Sequence, residues 1–113
     1  MTLSTNLEHI ATREEHSQVL KDHENIMVCC GRMGPMCLPV YGVMEQLQES
    51  YPNVAFRDML FDSPEADVIR NLPEARGFMG LPFVIYYKNG KVVEAKSSIQ
   101  SKDQITEVLD RVF

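Results

Sequence analysis

Hydrophobic positions change spacing several times along the chain, and each change predicts an element. Residues 13 to about 23 are polar and charged, with Val19 and Leu20 as the apolar contacts. Thr12 followed by Glu15 forms a capping box ahead of them, so a surface helix is expected there. "NIMVCC", 25–30, is a short apolar run bounded by Asn25 and Gly31, the length of a strand buried on both faces. Gly34-Pro35 then suits a helix start, because a first-turn proline gives up no needed N–H. Val40, Met44, Leu47 and Tyr51 recur at helical spacing opposite Glu45, Gln46, Gln48 and Glu49, until Pro52-Asn53 ends the run.

"VAFRDMLFD", 54–62, reads as a second strand, and Ser63-Pro64-Glu65 opens a short helix through about Leu72. "PFVIYYKNGKVVEAKS" reads as a hairpin whose Asn89-Gly90 supplies the positive φ values of a tight turn. Ser101 with Gln104 makes a second capping box, and Ile105, Val108, Leu109 and Val112 are the apolar stripe of a terminal helix. Strands alternating with helices, then a hairpin and a helix, predict an α/β fold: a central mixed sheet flanked by helices on both faces.

Composition adds scale. The 113 residues, 44% of them hydrophobic, suffice for one core, and no repeat or linker divides them, so residues 1–113 are expected to form a single domain. Eleven Lys and Arg stand against 16 Asp and Glu, a formal charge of -5, which disfavours nucleic acid as a partner. No segment approaches the roughly 18 apolar residues of a membrane span, and the first residues show no basic start before an apolar run. A monomeric, cytoplasmic protein without a membrane partner is the expectation. Three cysteines, an odd count, argue against a secreted disulfide framework.

Four features in order resemble the thioredoxin family over nearly the whole chain: the apolar strand running into Gly34-Pro35, Phe61-Asp62 ending the next strand, Gly80-Leu81-Pro82, and Tyr87-Lys88-Asn89-Gly90. The resemblance implies a thioredoxin-like fold. It also implies that Leu81-Pro82 is a cis peptide facing the helix start, with neighbouring backbone that pairs with a bound peptide. Where the family has Trp-Cys-Gly-Pro-Cys, this chain has Arg32-Met33-Gly34-Pro35-Met36, followed at once by Cys37. The family's buried acid corresponds to Met27 and its accompanying lysine to about Asp58, while its helix-kinking proline falls near Tyr41, two positions after Pro39.

Those substitutions bear on chemistry. Dithiol exchange needs one thiolate to attack and a second thiol to resolve the mixed disulfide. A thioether has no proton to lose, so Met33 and Met36 exclude ordinary thioredoxin turnover. Cys37 remains within the first turn or so of the helix, where the dipole favours a thiolate. The function expected first is therefore thiol-redox, with Cys37 as a monothiol site forming mixed disulfides with a protein cysteine or a low-molecular-weight thiol, while the plainer reading of a small residue on a helix stays open. Cys29 and Cys30 are adjacent on a strand and point to opposite faces, Cys29 reading as core. Cys30, seven residues before Cys37, is the one proposable redox partner, provided the Cβ atoms come within about 4.5 Å.

Two further readings stay open. Met33, Gly34, Pro35, Met36, Met79, Leu81 and Pro82 would line a Met-rich groove that binds protein without catalysis. Met33, Met36 and Cys37, with Met79 brought close, would suit Cu(I), although no cofactor or resident metal is expected. His9, His16 and His23 are spaced by seven, about 10 Å along a helix, too far apart to share a metal, and read as surface residues. Asp58 is expected to reach solvent or to pair with a base such as Arg57 or Lys96.

Overall fold

The computed structural model describes residues 2–78 and 80–113. Its strands are β1 (Glu8–His9), β2 (Asn25–Gly31), β3 (Ala55–Leu60), β4 (Phe83–Lys88) and β5 (Lys91–Ser97). They form one sheet in the order β1-β3-β2-β4-β5. β1 and β2 run parallel to β3, while β4 is antiparallel to both β2 and β5. The helices are α1 (Arg13–Asp22), α2 (Leu38–Leu47), α3 (Asp67–Arg70) and α4 (Lys102–Val112), with short 3₁₀ turns at Pro64–Ala66 and Pro73–Ala75. The expected mixed sheet with helices on both faces is therefore present.

Alternation along the strands builds two cores. Met27, Cys29, Phe56, Val84 and Tyr86 face Val40, Tyr41, Met44 and Leu47 of α2 and Ile105, Val108 and Leu109 of α4. Ile26, Val28, Cys30, Met59, Ile85 and Tyr87 face the other way, against Val19 and Leu20 of α1 and Ile69 of α3. β2 is buried along its entire length, as an unbroken apolar run between two neighbours requires. β5 is an edge strand with alternating exposure. There Tyr86 pairs with Glu94 and Tyr87 with Val92, so Val93 is left over as a bulge.

Caps and turn follow the residue chemistry. Thr12 and Ser101 both complete reciprocal capping boxes, with Glu15 and Gln104. Asn89 at φ 53 and Gly90 at φ 78 turn the hairpin. Leu81-Pro82 is cis, as the resemblance implied.

Two elements depart from expectation. Residues 34–37 do not open the second helix; they form a turn in which the Cys37 and Leu38 N–H groups both donate to the Gly34 carbonyl, at 3.1 and 3.0 Å, and α2 begins at Leu38. Pro39 lies in the first helical turn, where its missing N–H costs nothing. The two-residue β1 was not foreseen. Its segment is held by Leu3 and Leu7, both buried, and by an Ile10 N–H to Asp58 carbonyl bond of 2.8 Å. No helix among the described residues is long and apolar enough to cross a membrane.

Candidate functional site

The loop after β2 sorts its sulfur atoms by exposure. The turn at Gly34 directs Met33 and Met36 outward, 46% and 44% exposed, with Leu38 beside them at 45%. Cys37 turns inward and keeps only 3% of its surface. Of the two readings left open for Cys37, this burial fits the small core residue. Residue 37 sits at the N-cap of α2 without making a side-chain cap bond, and its side chain joins the core on the α2 face.

Gly31 makes room for that thiol. A Cβ built on Gly31 would lie 2.8 Å from the Cys37 sulfur, 2.7 Å from the Tyr41 hydroxyl and 3.3 Å from the Pro82 Cβ. Cys37 and the cis-proline are therefore neighbours across a gap that a hydrogen atom fills. The Arg32 N–H donates to the Cys37 sulfur at 3.4 Å, and the Tyr41 hydroxyl donates to the Arg32 carbonyl at 3.1 Å. Burial raises the Tyr41 phenol, with nearby cysteines adding to the effect, so it acts here as a fixed donor rather than an acid.

All three cysteines are free. Cys30 and Cys37 belong to cores on opposite sides of the sheet, Cys30 packing with Met59 and Phe83. A bond between them would have to bypass the sheet, and the geometry gives the Cys30–Cys37 pair no support. Burial pushes the Cys30 thiol up to about 12 and the Cys29 thiol well above its ordinary value. Cys29 is core, in the same cluster as Cys37.

The titratable groups also depart from expectation. Asp58 is wholly buried and is held not by Arg57 or Lys96 but by the Thr5 hydroxyl and by His9 Nδ1, the latter at 2.7 Å. Burial raises its carboxyl, and the bonds from Thr5 and His9 pull the other way. Met27, where the resemblance places an acid, is fully buried and apolar. His16 is no surface residue: it is 8% exposed, with Nε2 2.9 Å from the Tyr87 hydroxyl, and burial lowers its pKa.

A groove of about 430 Å³ runs beside the loop, with Arg32, Pro35, Met36, Phe61, Phe78 and Leu81 on its walls. Gly34, Cys37 and Gly80 are the other described residues of the lining. Of the expected groove residues, Gly34, Pro35, Met36 and Leu81 come together there. Met33 stands outside, projecting to solvent, and Pro82 lies behind it against the Gly31 gap. Met79 falls outside the described residues. The Cu(I) donor set fares worse, since Met33 and Met36 face water while Cys37 faces the core.

Arg32, Phe61, Phe78 and Gly80 are the lining residues that the sequence did not assign to a site. Phe61 and Phe78 meet edge to face at 6.0 Å, and Phe78 contacts Phe83 at 5.3 Å. The Arg32 and Arg70 guanidinium groups lie 5.6 and 5.8 Å from the Phe61 ring centre. Arg32 also forks onto Asp62 through two 2.8 Å bonds, which hold the Asp62 carboxyl below its usual range. Phe61 carried a signal, as the end of a strand; Phe78, in an irregular stretch, had no periodicity to mark it. Among the described residues, the Leu81 N–H and C=O bond to no other group, while the Ser98 N–H reaches the flanking Gly80 and Pro82 carbonyls at 3.1 and 3.0 Å. The groove therefore has largely apolar walls, and Leu81 in its lining has main-chain groups unpaired among the described residues.

No family model and no curated protein sequence matches the chain. Solved structures do. Thioredoxin from Fasciola hepatica is similar with a TM-score of 0.77 at 19% identity, covering 93% of this chain and 98% of that one. Mitochondrial thioredoxin 3 from Saccharomyces cerevisiae, in its oxidised form, gives 0.76 at 16% identity, covering 94% and 95%. Plasmodium falciparum thioredoxin gives 0.73 at 16% identity, covering 95% and 100%. Identities this low speak for backbone architecture, and together with the sheet order and the cis-proline they lead to one conclusion: the chain has a thioredoxin-like fold.

Proposed function

We propose that this chain is a protein-binding module that receives an extended, apolar segment of another polypeptide in the groove beside Met36, and that it does not turn over disulfides. One observation carries this reading: the loop presents thioethers to solvent and keeps its only thiol in the core. Nucleophilic attack on a disulfide needs an accessible thiolate, and a thioether cannot supply one. What the loop does offer is adaptable apolar surface, which suits Met side chains at a binding face. The free N–H and C=O of Leu81 offer main-chain pairing to a strand-like ligand.

Peptide display against the intact protein under reducing conditions tests this. The selected sequences should be apolar and extended, bind without cysteine, and lose roughly tenfold or more in affinity to Met36→Asp, the scale of a lost apolar anchor. Cys37→Ser should bind them unchanged. Failure to select any binder, or binding indifferent to Met36→Asp, would contradict the reading.

A second reading rests on the position of Cys37, which borders the groove and neighbours Pro82. Under it, local opening exposes the thiol, which forms a mixed disulfide with a protein cysteine or a low-molecular-weight thiol. Its mark would be adducts that require cysteine in the partner, are released by dithiothreitol, and vanish in Cys37→Ser.

A further inference from the structure

We propose that Met33 and Met36 are sites of reversible oxidation by hydroperoxides, so that the loop answers to oxidant through its thioethers. Where thiols and thioethers compete for peroxide, an exposed thiolate ordinarily reacts first. This molecule reverses the access. Cys29 and Cys30 have no exposed surface and Cys37 almost none, whereas the two loop methionines are nearly half exposed. Burial also keeps the Cys29 and Cys30 thiols protonated at neutral pH. The other described methionines, Met27, Met44 and Met59, are buried. Among the described residues, both exposed thioethers thus lie on one short segment, Met36 forming part of the groove wall.

The step balances with hydrogen peroxide as oxidant. A sulfur lone pair attacks one peroxide oxygen, the S–O bond forms and the O–O bond breaks. Sulfur loses two electrons, and the departing hydroxide takes the proton carried by the oxygen now on sulfur, leaving as water and giving the neutral sulfoxide. In the reverse direction a thiol-dependent sulfoxide reductase removes the oxygen as water while two of its thiols become a disulfide. A sulfoxide at Met36 puts a polar, chiral group on an apolar wall. That this weakens ligand binding rests on the function proposed above; the oxidation itself does not.

The test uses the intact chain and limiting hydrogen peroxide, with the products mapped residue by residue by mass spectrometry. Met33 and Met36 should take up one oxygen each at least about tenfold faster than Met27, Met44 and Met59, a difference that urea abolishes, with the thiols still titratable. Methionine sulfoxide reductases with dithiothreitol should restore the thioethers. Oxidation should also shift the amide resonances of Gly34 and Leu81 while leaving those of Lys91 and Val92 in place. Equal rates in the folded chain, thiol loss ahead of thioether oxidation, irreversibility, or unmoved groove resonances would each overturn the proposal. None of these readouts involves a bound peptide, so a failed peptide selection leaves this result standing on its own.

Discussion

At the residue scale the site depends on Gly31, the last residue of β2, for its lack of a side chain. Replacing it with alanine would drive a methyl group against the Tyr41 hydroxyl, the Cys37 sulfur and Pro82. Overpacking of this kind costs about 1–3 kcal/mol. Gly31→Ala is therefore expected to lower the unfolding free energy by that amount, read as a lower urea midpoint with the m-value unchanged, and an unaltered midpoint would mean that the loop relaxes freely. His16 gives a pH prediction. Its native pKa is lowered by burial, so the folded state favours the neutral ring. The stability it contributes is present above the ordinary value of 6.5 and is lost as pH falls from there through the native pKa. Denaturation curves between pH 7.5 and 5 should show this loss, and His16→Gln should reduce it. Neither role was legible beforehand, because a glycine's neighbours and a histidine's burial are set by chain segments far off in sequence.

At the scale of elements, periodicity and capping chemistry located α1, β2, α4 and the β4–β5 hairpin well. These are elements whose own residues decide them: an uninterrupted apolar run, two capping boxes, an Asn-Gly turn. The second helix was placed too early, since Gly34-Pro35 is compatible with either a helix start or a tight turn, and hydrogen bonding to the Gly34 carbonyl decides between them. β1 escaped because two residues carry no period; tertiary contacts to β3 define it. Those contacts suggest a test. Asp58→Ala removes the acceptor for Thr5 and His9 and leaves two part-buried polar groups without that partner, at a cost of about 1 kcal/mol. Hydrogen exchange should show lost protection at Ile10, whose N–H bonds to the Asp58 carbonyl, ahead of any change in β2. Uniform loss of protection would mean that the segment has no independent hold.

At the scale of the whole molecule, a thioredoxin-like scaffold brings the β2 loop, the end of β3 and the cis-proline to one end of the sheet, with the cis-proline beside that loop as the resemblance implied. Order along the chain was enough to anticipate this. Which way each sulfur would point was not, because Cys37 and Met36 are adjacent and only the turn geometry sends one inward and the other out. In the folded chain, then, the thiols are inaccessible, and among the described residues the exposed sulfur is thioether. Titration with an aromatic disulfide reagent measures this most directly. The native chain is expected to show no fast-reacting thiol, and all three cysteines should react once the protein is unfolded in urea. One equivalent reacting at the rate of a free thiol in the native state, and disappearing in Cys37→Ser, would contradict it.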